Sequence, residues 1–167
     1  MNGFVRIAPE ELENVFRLIG KDWMLITAKS GKEVGTMTAS WGGMGVLWNK
    51  PVAFCFIRPQ RNTFSLTEQS DRLSLSFFGE EYRAALTLCG TKSGRDIDKF
   101  AAAGLTPCFE GDTPYVGEAR LVLICRKLYA DNLKECAFVD KALLSNYKDG
   151  DFHRVYVVEI EGAYLRK

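Results

Sequence analysis

The sequence predicts one domain that is mainly β with short helices, in which antiparallel strands form a closed or nearly closed barrel. Strand-like segments dominate, and the short helical segments follow no regular strand, helix, strand alternation, which argues against a doubly wound parallel sheet. The 167 residues are 47% hydrophobic, enough for one full core and too few to need a second domain. Residues 1–167 are therefore assigned to a single domain.

The elements are justified by their periodicity and by the residues at their ends. Apolar residues recur at helical spacing after Pro9, whereas Leu73–Phe77 alternates as a strand does. Val52–Ile57 is largely apolar, which is typical of a central strand covered on both faces, and Pro59 stops it. In chain order we expect helix 9–20, a hairpin of strands 23–28 and 34 onward, strand 52–57, a helix capped by Thr63 over 63–69, strand 73–77, helix 80–88, a helix from 97 that Gly104 ends, strand 120–129, helix 140–145 and strand 153–165.

The charge balance excludes a global electrostatic partner. Lys and Arg number 22 against 21 Asp and Glu, for a net charge of +1, so no general field attracts nucleic acid or an acidic membrane surface. The longest apolar runs are far shorter than a membrane span, and no apolar signal core is found at the N-terminus. We expect a soluble, cytoplasmic protein whose anion sites, if any, are local.

Cysteine and histidine usage argues against a metal centre. Five cysteines, at positions 55, 89, 108, 125 and 136, form an odd set without a Cys-x-x-Cys pair, which fits a reducing compartment better than a disulfide framework. Cys55 and Cys125 lie in apolar runs and are interpreted as small buried hydrophobes. His153 is the single histidine, so a site of several histidines is excluded and no metal is predicted.

Three polar segments are candidates for ligand binding. Residues 36–41 end a strand at Trp41, just before three glycines in positions 42–45; Arg58–Thr63 forms a turn; and Lys92–Lys99 forms a loop. Each alone is explained by ordinary surface polarity. Together they offer hydroxyls, backbone amides beside glycine, and arginines, which is the set of donors that a phosphate monoester needs. A pocket rim for a flat, anionic ligand is the expectation.

Two common nucleotide motifs are absent. The run Gly42–Gly45 lacks the spacing of the Rossmann glycine pattern, and Lys92-Ser93 follows Thr91 where a Walker loop requires glycine. A nicotinamide cofactor, if used, must bind without a Rossmann fold.

Several ordered motifs resemble those of the flavin reductase-like, FMN-binding split-barrel family that includes flavoredoxin. The motifs are Thr36-Met37-Thr38-Ala39-Ser40-Trp41-Gly42-Gly43, Trp48-Asn49-Lys50-Pro51, Arg58-Pro59-x-Arg61-x-Thr63 and Ser93-Gly94-Arg95-Asp96-x-Asp98-Lys99-Phe100. The resemblance covers most of the chain. It implies a split β-barrel of antiparallel strands and a homodimer with FMN bound near the subunit interface.

The resemblance also implies a set of cofactor-binding residues. Those expected to line the isoalloxazine, mainly through backbone groups, are Thr38, Ala39, Ser40 and Trp41, beside Thr36. Those expected at the phosphate and ribityl chain are Arg58, Arg61 and Thr63, with Ser93, Gly94, Arg95 and Lys99 closing the pocket. Asn62 departs from the family pattern, which usually has an aromatic residue there. His153 matches a recurrent family feature and is considered both as a residue near the substrate and as a structural histidine.

Flavin chemistry would need no protein acid or base, so no catalytic residue is assigned. The expected function is an FMN-dependent oxidoreductase in which hydride passes from NADH or NADPH to flavin N5 and electrons continue to free flavin or a partner. Two alternatives are kept: an FMN electron carrier of the flavoredoxin kind that another protein reduces, and a split-barrel module that binds no flavin and mediates association.

Overall fold

A computed structural model describes residues 1–12 and 14–167 and confirms a mainly antiparallel β architecture with short helices. The strands are β1 (Phe4–Ile7), β2 (Met24–Ser30), β3 (Glu33–Ala39), β4 (Gly42–Leu47), β5 (Lys50–Ile57), β6 (Arg72–Phe77), β7 (Pro107–Glu110), β8 (Thr113–Val116), β9 (Leu121–Asn132) and β10 (Arg154–Arg166). The α-helices are α1 (Val15–Arg17), α2 (Asn62–Gln69), α3 (Arg83–Thr91) and α4 (Lys99–Ala103). Shorter helical turns are Pro9–Glu11, Leu18–Asp22, Glu80–Tyr82, Glu135–Ala137 and Lys141–Tyr147.

The strand order shows why the main sheet must curl. It runs β3-β2-β6-β9-β10-β5-β4, with β1 added to the far end of β10, so β3 and β4 lie at opposite ends of the order. In a flat sheet these two strands would be about 29 Å apart, since neighbouring strands are about 4.8 Å apart. Only Ser40 and Trp41 join them, and that link spans at most about 11 Å. The two edges are therefore brought together at residues 40–41, as a split barrel requires.

The period of two along the strands divides the core into two clusters. In β2, Met24, Ile26 and Ala28 belong to the cluster inside the curled sheet, whereas Leu25 faces the other way. That second cluster is covered by α3, α4 and the β7–β8 hairpin, which contribute Leu86, Cys89, Phe100, Tyr115 and Val116. Cys55 and Cys125 are both fully buried in the inner cluster, as the sequence predicted.

The predicted single helix over residues 9–20 is wrong, because this segment is divided into shorter helical pieces. Instead of one helix over 9–20, the chain forms a turn at Pro9–Glu11, then α1 and a π-helical turn over Leu18–Asp22; residue 13, within this span, lies outside the described residues. Asn14 stands in the left-handed region at φ 51°, where a continuous helix cannot pass, and its side chain accepts a bond from the Arg17 amide instead. Phe16, one of the apolar residues whose helical spacing predicted this helix, is 93% exposed.

Two further expectations need correction. The glycine-rich stretch after Trp41 is strand β4, paired with β5 from Gly42 opposite Cys55 to Leu47 opposite Lys50, and the sequence had suggested only a break there. Thr63 does not cap α2: Arg61 takes the N-cap position, and Thr63 is the buried second residue of the helix, where its carbonyl oxygen accepts from the Thr67 hydroxyl. The predicted end of α4 at Gly104, in the left-handed conformation at φ 64°, is confirmed.

Candidate functional site

A cleft lies at the point where the chain crosses from β3 to β4. We call it the strand-end cleft; its volume is about 280 Å³, and it is lined by Met37, Thr38, Ala39, Ser40, Trp41, Phe56, Arg58, Gln60, Arg61 and His153. Because β3 ends the strand order, the outer edge of its backbone has no strand partner among the described residues. The cleft thus combines free strand-edge backbone, two arginines and three aromatic rings. Six of the residues predicted to hold the cofactor meet there.

Arg61 is the cation of this cleft with the fewest protein acceptors. Its Nη1 donates to the Gly90 carbonyl oxygen at 2.7 Å, and within the described part of the chain it has no carboxylate partner. In return, Arg95 Nη1 donates to the Gln60 carbonyl oxygen at 3.1 Å. These two bonds join the turn after β5 to the last turn of α3 and to the loop that follows it. They leave other guanidinium nitrogens of Arg61 available to an anion.

Arg58 is more heavily engaged with the protein. Its Nη1 donates to the Asp151 carboxylate, its Nη2 donates to the Asn146 carbonyl oxygen at 3.0 Å, and its guanidinium lies 5.4 Å from the centre of the Tyr147 ring. Hydrogen bonds from Arg58 and then Gln60 lower the pKa of Asp151. Arg58 therefore ties the segment before β10 to the rim of the cleft.

His153 is buried in the wall of the cleft and is uncharged at neutral pH. It is 7% exposed, its Nδ1 lies 2.9 Å from the Tyr147 hydroxyl, and its ring centre lies 5.4 Å from that of Trp41. Burial, followed by the neighbouring Arg58 cation, lowers the pKa of His153 to about 4. The cleft thus contains a neutral imidazole beside two permanent cations.

The predicted hydroxyl donors are used within the protein. Thr38 donates to the Leu86 carbonyl oxygen of α3, and the buried Thr36 hydroxyl lies 3.0 Å from that of Thr27 on the neighbouring strand. The role of residues 38–41 toward a cofactor, mainly through backbone groups, stays a prediction.

A second cleft, which we call the hairpin cleft, is lined by four of the other six predicted residues. It measures about 560 Å³ and lies between the β2–β3 turn, the start of α2 and α4; Thr36, Thr63, Gly94 and Lys99 are in its lining. The Lys99 ammonium is buried and donates to the Thr36 oxygen at 3.1 Å and the Cys89 oxygen at 2.7 Å. Burial lowers the pKa of Lys99. The cofactor set predicted as one pocket is thus divided between two clefts.

The loop of the Ser93-Gly94-Arg95 motif reaches both clefts. Arg95 bonds to Gln60 in the strand-end cleft, and Gly94 lies against Asn62 in the hairpin cleft, where a Cβ on the glycine would approach Asn62 Nδ2 to 3.1 Å. Ser93 accepts from the Arg95 amide at 3.1 Å and shapes the loop. Asn62, the departure from the family pattern, therefore packs on the loop and donates to Glu33.

Sequence reasoning missed five residues of the strand-end cleft and its rim: Met37, Phe56, Gln60, Tyr147 and Asp151. Gln60 lies inside a motif that was already recognised, and its Nε2 donates to Asp151 at 2.6 Å. Tyr147 and Asp151 reach the cleft only through tertiary contacts, since Asp151 is 93 positions from Arg58. No local pattern marks such pairs.

The described residues contain no group of three or more His, Cys, Asp or Glu side chains able to hold a metal ion. Among the helices of residues 1–12 and 14–167, none has the length and apolar character needed to cross a membrane.

Comparison with known proteins gives a family and a set of structural neighbours. The model of the flavin reductase-like domain matches residues 16–167. No curated protein matches the chain. An FMN-binding domain of a flavin reductases-like enzyme from Shewanella baltica OS155 superposes with a TM-score of 0.71 at 18% identity, covering 99% of this chain and 78% of that one.

Two other solved structures share the fold. Flavoredoxin from Methanosarcina acetivorans gives a TM-score of 0.68 at 20% identity over 87% of this chain and 69% of its own. The styrene monooxygenase flavin reductase of Pseudomonas putida S12 gives 0.62 at 12% identity, over 85% and 77%. All three likenesses support the split-barrel fold.

Proposed function

The chain belongs to the flavin reductase-like family, and on this premise we propose that it is an FMN-binding oxidoreductase that takes hydride from NADH or NADPH and passes electrons to free flavin or to a partner. The observation that carries the proposal is the strand-end cleft, where free backbone of a sheet edge meets Arg61 and a set of aromatic rings. Two of the four family motifs, those of residues 36–43 and 58–63, contribute residues to its lining.

The residues present fit the cofactor. An isoalloxazine is flat and carries carbonyl and imide groups, which the outward backbone of residues 38–41 and the Trp41 ring can complement. A phosphate needs a cation with unused donors, and Arg61 supplies one, with Arg58 beside it. We assign the ring to Thr38, Ala39, Ser40 and Trp41, and the phosphate chiefly to Arg61.

The remaining predicted residues shape the site in this proposal. Thr63, Ser93, Gly94 and Arg95 place the two loops around the ribityl and phosphate end, and Lys99 fixes the carbonyl groups of Thr36 and Cys89 behind it. When bound, FMN supplies the hydride and electron chemistry itself. The chain contributes binding, orientation and local charge: Arg58 and Arg61 favour negative charge in the cleft, and the neutral His153 offers a hydrogen bond without adding repulsion.

We also propose a homodimer in which the second copy covers the far end of β4, at Val46 and the Trp48 that follows it, and leaves residues 42–44 uncovered. Val46 is 77% exposed and Trp48 is 56% exposed on or beside this end strand, although both are large apolar side chains. Burying them against a second copy would remove that surface from water close to the cleft. Sedimentation analysis of the purified protein, with Val46→Glu as the disrupting variant, tests this; a monomer under all conditions would contradict it.

The test of the proposed reaction is anaerobic. FMN-loaded protein is mixed with NADH or NADPH, and the flavin absorbance near its long-wavelength maximum is followed. Bleaching by at least one of the two nucleotides is expected. If neither bleaches the flavin while a chemical reductant does, hydride transfer from nicotinamide is wrong.

The alternative function is an FMN electron carrier of the flavoredoxin kind. Flavoredoxin of Methanosarcina acetivorans shares the fold, and Trp41 at the cleft is 50% exposed, so a protein partner can approach the flavin closely. The same experiment separates the two, because a carrier is bleached by its partner reductase far faster than by free nicotinamide. A reducing compartment such as the cytoplasm stays a prediction from the odd number of cysteines and the missing Cys-x-x-Cys pair.

A further inference from the structure

An apolar groove adjoins the strand-end cleft, and its chemistry differs from that of the cleft. We call it the Phe16 groove; it measures about 440 Å³, and its walls include Phe16, Ile19, Gly20, Trp41, Gly43 and Met44. We propose that it binds a neutral aromatic electron acceptor of the quinone class. The inference rests on the proposed function, because reduced FMN is the electron donor.

Charge selects the class of ligand. None of the described residues that line the Phe16 groove has an ionisable side chain, whereas the strand-end cleft contains Arg58, Arg61 and His153. A ligand with phosphate or sulfonate groups would lose hydration in the groove and gain no cation in exchange. A neutral ring system loses little and gains apolar contact.

Continuity places the ligand beside the flavin site. Ser40 and Trp41 belong to the linings of both the groove and the cleft. A ring bound in the groove would therefore contact the same two residues that border the proposed isoalloxazine position. The Phe16 ring, 93% exposed in the chain alone, would be covered by such a ligand together with Trp41.

The shape of the groove depends on glycines. A Cβ at Gly42 would lie 2.7 Å from the Phe54 carbonyl oxygen, so only glycine allows β4 to sit this close to β5. A Cβ at Gly20 would meet nothing within 4 Å, so this side of the groove is open and flat. The volume lies within the range of about 300–1,000 Å³ that is usual for small-molecule sites.

The electron balance is simple. The quinone gains two electrons and two protons, its two C=O groups become C–OH groups, and reduced FMN returns to the oxidised form as it loses the same electrons and protons. NADH or NADPH, as the hydride donor of the proposed function, restores the reduced flavin.

The test uses the full chain loaded with FMN and reduced by light under anaerobic conditions, so that it does not depend on nicotinamide. Menadione, a neutral naphthoquinone, and 1,2-naphthoquinone-4-sulfonate, an anionic one, are mixed with it, and flavin reoxidation is followed against quinone concentration. We expect menadione to saturate at a concentration about tenfold lower or less. Equal saturation, or a preference for the sulfonate, would overturn the proposal.

Two variants and one control localise the effect. Gly20→Glu introduces a charge where the Cβ has space, and Phe16→Ala removes an exposed ring; Val139→Ala, at a residue 98% exposed elsewhere, is the matched control. The half-saturating menadione concentration should rise about tenfold in Gly20→Glu and severalfold in Phe16→Ala. It should not change in the control. Unchanged menadione saturation in both groove variants contradicts the assignment.

A binding measurement separates this inference from the proposed function. Quenching of tryptophan fluorescence by menadione is titrated with FMN-free protein, and the affinity for FMN is measured separately in every variant. Menadione binding that Gly20→Glu weakens, with FMN affinity intact, supports the groove even if nicotinamide fails to reduce the flavin. If the groove variants instead weaken FMN binding or convert a dimer to a monomer, the groove belongs to the cofactor or to a second copy, and the proposal is overturned.

Discussion

Two clefts of this protein contain arginines, and only one is suited to an anion. The arginine cleft, lined in part by Arg17, Asp22, Glu80, Arg83 and Arg120, measures about 450 Å³ and has three guanidinium groups. Each of them is paired with a carboxylate. Arg120 and Arg17 share Asp22 at 2.7 and 3.4 Å, and Arg83 lies 3.2 Å from Glu80.

The strand-end cleft is smaller, at about 280 Å³, and has one arginine fewer. Yet Arg61 donates to a backbone carbonyl and has no carboxylate partner among the described residues, and His153 beside it is neutral. If the proposed function is right, unbalanced charge next to unpaired strand-edge backbone, and not cleft volume or the number of arginines, distinguishes the anion site from the arginine cleft.

The largest effect is expected where a cation is fully used by the protein. Lys99→Met removes the donor to two buried carbonyl groups, so the free energy of unfolding should fall by roughly 2–4 kcal/mol. Urea denaturation measures this, with Lys92→Met on the exposed loop as the control. A loss no greater than that of the control would show that Lys99 is free to act on a ligand and would break the comparison.

The next effect compares one arginine from each cleft. Arg61→Ala should weaken FMN binding by about 1–3 kcal/mol, because a phosphate loses a charge-assisted bond, whereas Arg83→Ala should leave it unchanged. Quenching of flavin fluorescence on titration with FMN-free protein gives both affinities. Arg58→Ala should fall between them, since Arg58 already binds Asp151 and Asn146. Equal affinities for the Arg61 and Arg83 variants would mean that the phosphate is misplaced.

A pH effect follows from the neutral histidine of the strand-end cleft. The folded-state pKa of His153 is lowered to about 4, so between about pH 6.5 and 4 the unfolded chain binds this proton and the folded protein does not. The free energy of unfolding should therefore fall as pH drops through that window, and this contribution should be flat above it. Burial is the largest cause of this lowered pKa; the Arg58 and Arg61 cations lower it further and the Asp151 carboxylate raises it, while the Tyr147 hydroxyl faces Nδ1 of the same ring.

Because His153 is the single histidine, its ring signal in an NMR titration reports this pKa without ambiguity. A midpoint near 4 agrees with the structure. A midpoint at 6.5 or above would show that the imidazole is charged in weak acid and open to solvent.

The smallest effect is expected from a variant that gives the arginine cleft unpaired positive charge, as in the strand-end cleft. Asp22→Asn removes the carboxylate that Arg17 and Arg120 share, so inorganic phosphate should then raise the melting temperature of the variant slightly more than that of the wild type. The FMN affinity of the variant should be unaffected. If phosphate raises the melting temperature of the variant and of the wild type equally, the paired carboxylates are not what prevents anion binding in the arginine cleft.

Much of the fold could be predicted because the strands obey a simple period. The β2–β3 hairpin, β5, β6, β9 and β10 lie where alternation or apolar runs placed them. The sequence did not reveal β4, since glycines are poor strand formers and its pairing with β5 depends on close backbone approach at Gly42. The short strands β1, β7 and β8 were also missed, because each depends on a tertiary partner.

The candidate site could be predicted in part for a similar reason. Contiguous motifs identified Thr38–Trp41 and the Arg58–Arg61 turn, which do meet in one cleft. They could not show that Arg58 is bound to Asp151, or that Lys99 points at backbone carbonyls, because those contacts join distant parts of the chain. Residue type predicts which hydrogen bonds a side chain can make. Its partners in the folded protein determine which of its donors remain free for a ligand.

The most direct test of the central claim is an equilibrium titration of FMN-free protein with FMN, followed by flavin fluorescence and repeated with Arg61→Ala. We expect saturable, equimolar binding to the wild-type chain and affinity about 5- to 150-fold weaker in the variant. No binding by the folded wild-type protein, or binding that the variant leaves unchanged, would contradict it.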